Sequence, residues 1–198
     1  MRDLTRALAA LAVASLGLFA VACNKGPAEA ALAAADQALA AARPEIEKYA
    51  PEDLGSLTAA AREARSQLER GRYTDALRAA QGLPAKVRAA AADAAARKDQ
   101  LVAAWNEISA SLPARVEAVT ARVAELAAAK NLPRGIDKAT VAAAQTDLRS
   151  VTQAWAEAAA AFQGGDVPRA VKTAQDVRAK AEALAGMLGL TAAPAAAR

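Results

Sequence analysis

The chain of 198 residues contains no histidine, one cysteine (Cys23), two tryptophans, two tyrosines and two phenylalanines. A single cysteine rules out a disulfide framework within the chain. Without histidine, and with one thiol, a structural zinc site of the Cys/His kind lacks ligands. Histidine-dependent acid–base or nucleophilic catalysis is excluded for the chain on its own. Glycine-rich phosphate loops, a G-x-S-x-G elbow and a calcium-loop pattern are also missing. The chain has only one long apolar run, residues 7–22, and at 16 residues it falls short of the roughly 20 needed to span a bilayer. Charge of one sign is lacking too. The formal net charge is +4, with Lys and Arg interspersed among Asp and Glu, too balanced for a nucleic-acid partner to be read from it.

Alanine is what the chain has in abundance, about a third of all residues. It is the best helix former, and no stretch alternates with the period of two that a half-buried strand needs. The fold class expected is therefore all-α. Helices are predicted over Ala28–Tyr49, with a bend at Pro44, and from Pro51 to near Gly71. The next is expected from a Thr74 N-cap, broken or kinked at Gly82-Leu83-Pro84, to about Ser109. Another should start at Pro113 and end near Asn131, before the loop Asn131-Leu132-Pro133-Arg134-Gly135. Asp137 and Asp166 are the expected caps of the last two helices, separated by Gly164-Gly165. Leu101, Trp105, Ile108, Leu112, Val116, Val119, Val123 and Leu126 step by threes and fours, a helical seam carried across Pro113. Trp105, Trp155 and Phe162 lie in such apolar lines and are the candidate packing anchors.

Shifted by 94 residues, parts of the chain match themselves. Gly71 meets Gly165. Ala76, Ala80, Gln81, Ala85 and Lys86 meet Ala170, Ala174, Gln175, Ala179 and Lys180. Leu54, Leu68, Leu77 and Leu83 meet Leu148, Phe162, Val171 and Val177. The architecture expected is an antiparallel helical bundle of about six helices built from two related hairpins, about 51–100 and 137–188, each burying its apolar face against the other.

The N-terminus carries a basic start (Arg2, Arg6), the apolar run, and Ala20-Val21-Ala22-Cys23. This resembles the lipobox signal of Gram-negative bacterial lipoproteins. The resemblance implies a signal peptide over 1–22 and a diacylglyceryl and acyl (palmitate-type) anchor on Cys23. It also implies a lipidated tether over 23–27, reaching at most about 14 Å beyond Cys23. Asn24, rather than Asp, after the cysteine implies the periplasmic face of the outer membrane. An ordinary secreted protein cleaved after A-x-A is the alternative. The helical domain would cover 28–190, and residues 191–198, rich in Ala and Pro, read as a disordered tail. The mature part resembles Ala-rich, all-helical envelope lipoproteins of unknown function. Gly71-Arg72-Tyr73-Thr74-Asp75-Ala76-Leu77 resembles the turn of a tetratricopeptide repeat, although that array repeats every 34 residues.

Taken together, the expectation is a non-catalytic structural or protein-interaction module held to the membrane, with an envelope protein or the cell wall as partner. No cofactor, metal or nucleic acid is expected. The competing reading is a periplasmic small-molecule or peptide binder with a cleft between the hairpins. A mild basic cluster, Lys86, Arg88, Arg97 and Lys98 around Asp93, is a second candidate surface.

Overall fold

The computed structural model describes residues 24–190, and every regular element among them is an α-helix. There are five: α1 (Lys25–Tyr49), α2 (Pro51–Glu69), α3 (Tyr73–Ala128), α4 (Lys138–Gln163) and α5 (Val167–Met187). Asp137 and Asp166 cap α4 and α5 as expected, their carboxylates accepting from Thr140 N–H and Arg169 N–H. Pro51 opens α2 with Glu52 and Asp53 in its first turn, where negative charge meets the positive end of the helix dipole.

Three expectations need correction. The helix breaks at Gly82-Leu83-Pro84 and at Pro113 do not occur, and α3 runs through both. An interior proline costs about 3 kcal/mol. On either side, however, Leu83, Val87, Ile108 and Leu112 are buried, and each such side chain contributes roughly 1.5–3 kcal/mol. Packing therefore outweighs the lost hydrogen bonds. Pro44, where only a bend is expected, lies inside a continuous α1. Thr74 is not an N-cap: α3 already begins at Tyr73, and the Thr74 hydroxyl accepts a bond from Asn24 instead. Finally, residues 25–27, read as tether, form the first turn of α1, where proline needs no hydrogen-bond partner.

The chain divides into two compact units at Arg97/Lys98. In the first, Leu32 and Ala35 of α1 pack with Ala61 and Ala64 of α2 and with Ala80 and Leu83 of α3. In the second, α4 packs along α5, and Trp105 of α3 stacks on Trp155 and Phe162 of α4. Within each unit a further helical segment packs on the hairpin: α1 in the first, the part of α3 that carries Trp105 in the second.

The two hairpin turns are alike. Gly71 and Gly165 have φ of 74° and 77°, a conformation costly for any residue with a Cβ. Gly71 N–H bonds Leu68 O and Arg72 N–H bonds Gln67 O; Gly165 N–H bonds Phe162 O and Asp166 N–H bonds Ala161 O. Both are the double-bonded helix ending that glycine at C′ permits.

Candidate functional site

Cys23, the proposed anchor, lies outside the described residues, as do the signal segment and residues 191–198. The described chain starts one residue later. Asn24 Nδ2 donates to Thr74 Oγ1 at 3.2 Å, tying this end to the start of α3.

The three candidate anchors come together in the second unit. The Trp105 ring centroid lies 5.3 Å from that of Trp155 and 4.5 Å from that of Phe162, with interplanar angles of 12° and 8°. Trp105 is buried; Trp155 and Phe162 are half-buried. Stacked rings at these distances add to the area they bury. Of the seam, Trp105, Ile108, Leu112, Val119, Val123 and Leu126 are buried, with Leu101 and Val116 half-buried at its edge.

Charge stays on the surface. No polar or charged residue among those described is buried, and no group of three or more His, Cys, Asp or Glu is placed to hold a metal. The basic cluster is not one free patch: Arg97 pairs with Glu52 across α3 and α2. The backbone at the start of α2 and the Arg97 guanidinium hold the Glu52 carboxyl below its ordinary range. Arg65 is engaged by Asp36 at 2.6 Å, which keeps its guanidinium more firmly protonated. The Thr140 hydroxyl and N–H, both 2.7 Å from Asp137, lower that carboxyl. Each of these groups does structural work at a helix end or between helices.

Among the described residues, three surface grooves combine polar, small and larger aliphatic side chains. One, of about 440 Å³, lies in the second unit beside the 129–137 loop and is lined by Leu126, Lys130, Asn131, Leu132, Lys138 and Gln145 among others. The other two lie along the hairpins. In the first unit Asp53, Ser56 and Leu57 of α2 face Lys86, Ala90 and Asp93 of α3 around about 360 Å³. In the second unit Asp147 and Ser150 of α4 face Lys180, Ala183, Leu184 and Met187 of α5 around about 240 Å³. No tryptophan or tyrosine lines any of the three.

The hairpin grooves share a signal that the sequence reading overlooked. Asp53 and Asp147, and Ser56 and Ser150, are 94 residues apart, the same shift that relates Lys86 to Lys180. The pairs pass unnoticed among alanine matches until the helices bring them to one place. Comparison with family models, with curated proteins and with solved structures finds no match to the chain.

Proposed function

We propose that the chain is a lipid-anchored protein of the Gram-negative cell envelope, a non-catalytic structural or interaction module on the periplasmic face of the outer membrane. The observation that carries this reading is the sole cysteine, placed immediately after Ala20-Val21-Ala22 at the end of the apolar run. A free thiol exposed in an oxidising compartment is a liability, whereas an acylated one is inert. Two or more acyl chains anchor stably without further help. The described helices fit that division of labour: none is long and apolar enough to cross a membrane, and their charges face solvent. The alternative, a binder with an aromatic-lined cleft between the hairpins, has less support: the aromatic side chains stack on one another inside one unit, and no aromatic side chain lines the three grooves described above.

We also infer that the two hairpins are related by duplication and that the fold is two antiparallel hairpins, the first completed by α1 and the second by the C-terminal part of α3. The turn glycines, the buried Ala64/Ala158 and Ala80/Ala174, and the Thr58 and Thr152 hydroxyls bonded back to Leu54 and Leu148 carbonyls all obey the 94-residue shift.

Mass spectrometry of the N-terminus of the membrane-extracted protein tests the anchor. The expected product begins at Cys23 and carries diacylglyceryl and acyl groups, and Cys23→Ser abolishes both modification and processing. A product cleaved but unlipidated, or intact in the soluble fraction, overturns the reading.

A further inference from the structure

If the hairpins are copies, their solvent-facing positions show which side chains have been kept without help from packing. Most have not been kept. Glu52 becomes Thr146, Arg65 becomes Ala159, Asp75 becomes Arg169 and Arg88 becomes Glu182, the last two reversing sign. Among the exceptions, Thr58 and Thr152 bond back to their own helices, and Glu63 and Glu157 each pair with a glutamine one turn away. Asp53/Asp147 and Lys86/Lys180 are identical too, as are Ser56/Ser150, although the Ser56 hydroxyl also bonds back to its own helix at Asp53 O; in both copies all three positions line the groove between the hairpin helices. Among the described residues neither lysine makes an ion pair. Asp53 stands level with Asp93, and Asp147 with Met187, because the helices run antiparallel. The lysine lies seven residues up the second helix from that level, about 10 Å at 1.5 Å per residue. Each groove therefore has an acid end and a lysine end.

We propose that the chain self-associates through this duplicated groove, the occupant being the same surface of a second copy. A face with opposite charges at its two ends is complementary to itself when turned about a two-fold axis, acid end to lysine end. Small side chains such as Ala89 and Ala183 leave the faces shallow enough for close approach. Met187, half exposed and the one large apolar side chain left in solvent among those described, stands in the second groove. Two grooves per chain make the association multivalent, so individually weak surface ion pairs add up. This association rests on the duplication proposed above and does not depend on the lipid on Cys23.

The test is sedimentation equilibrium of the purified full chain in a density-matched non-ionic detergent. The wild type should self-associate, less so in high salt. The double variant Lys86→Asp/Lys180→Asp, and separately Asp53→Lys/Asp147→Lys, should each lose association by about tenfold or more. An equimolar mixture of the two should regain it, since an acidic groove then meets a basic one. Circular dichroism confirms that each still folds; Lys86→Gln/Lys180→Gln gives the milder loss if a reversal does not. A wild type that is monomeric at every concentration, or reversed variants that associate unchanged, overturns the proposal. So does a mixture of folded variants that fails to associate, which would point to a different partner.

Discussion

The two units share a hairpin frame but fill it differently. In the first, the cluster consists of Leu32, Ala35, Ala61, Ala64, Ala80 and Leu83. In the second, the position matching Ala61 is Trp155, the position matching Leu68 is Phe162, and Trp105 stacks on both. Alanine faces let helices approach toward the short end of the usual 8–10 Å separation, leaving little volume to fill. A tryptophan in the same register requires space, and the stacked neighbours occupy it. The links differ as well. Ala50 alone joins α1 to α2, whereas nine residues, 129–137, join α3 to α4. Within the packed interior, the turn glycine and the fully buried alanines are shared while Ala61 and Leu68 give way to Trp155 and Phe162, so the hairpin turn and the closest helix contacts constrain the sequence more than the larger core residues do.

The largest expected effect breaks this contrast at its bulkiest point. Trp105→Ala should cost about 3–5 kcal/mol, since it removes the ring on which both other aromatics stack and leaves a void. Both tryptophans of the chain lie in the second unit, so Trp155 fluorescence during denaturant unfolding reports that unit directly. An unchanged midpoint would show that the stack contributes area but no stability.

Much of this was legible in the sequence, for identifiable reasons. Capping is local chemistry, so Asp137 and Asp166 could be placed from a few residues. The seam from Leu101 to Leu126 was legible because its spacing is helical. What local rules missed depended on tertiary burial. Three Leu-Pro pairs illustrate it. Leu83-Pro84 and Leu112-Pro113 sit inside α3, with both leucines buried, whereas Leu132-Pro133 lies in a loop, with Leu132 half-buried and Gly135 at φ 85°. The dipeptide is the same; what the leucine packs against decides whether the helix continues. The hairpin grooves escaped for a related reason. Each is made from two helices, and its Asp, Ser and Lys become neighbours only once the antiparallel register is known. Cys23, on which the proposed anchor depends, lies outside the described residues.

A smaller effect sharpens what the units share. Gly71→Ala and Gly165→Ala should each cost about 1–2 kcal/mol, because both backbones are left-handed and neither site has a neighbour for the new methyl to meet. Equal losses, read as shifts in thermal midpoint by circular dichroism, are the expected outcome for equivalent turns. Gly82→Ala provides the internal contrast: it lies in a helix with open space around it, and should gain up to about 1 kcal/mol. A marked inequality between Gly71 and Gly165 would mean that the units lean on their turns differently.

The smallest effect separates the units by pH. Glu52 in the first unit and Asp137 in the second have folded-state pKa values lowered from ordinary values of 4.5 and 3.8. A lowered folded pKa means that the unfolded chain takes up protons first. The stabilisation is therefore fully present above the ordinary values and is lost as pH falls through the folded ones. The thermal midpoint should be level at neutral pH and decline from near pH 4.5 downward. The Glu52 contribution comes first from the backbone N–H at the start of α2 and then from Arg97, and only this exposed ion pair is screened by salt. The Asp137 contribution comes first from hydrogen bonds with Thr140, which salt leaves largely intact. Asp137→Asn keeps an N-cap oxygen while removing the titrating group, so it should flatten the acid decline followed by tryptophan fluorescence. Added salt should reduce the part of the decline that Glu52→Gln removes and leave the Asp137 part in place. If salt abolished both alike, the hydrogen-bonded cap would be acting as a charge like any other, and the distinction drawn between the two helix starts would fail.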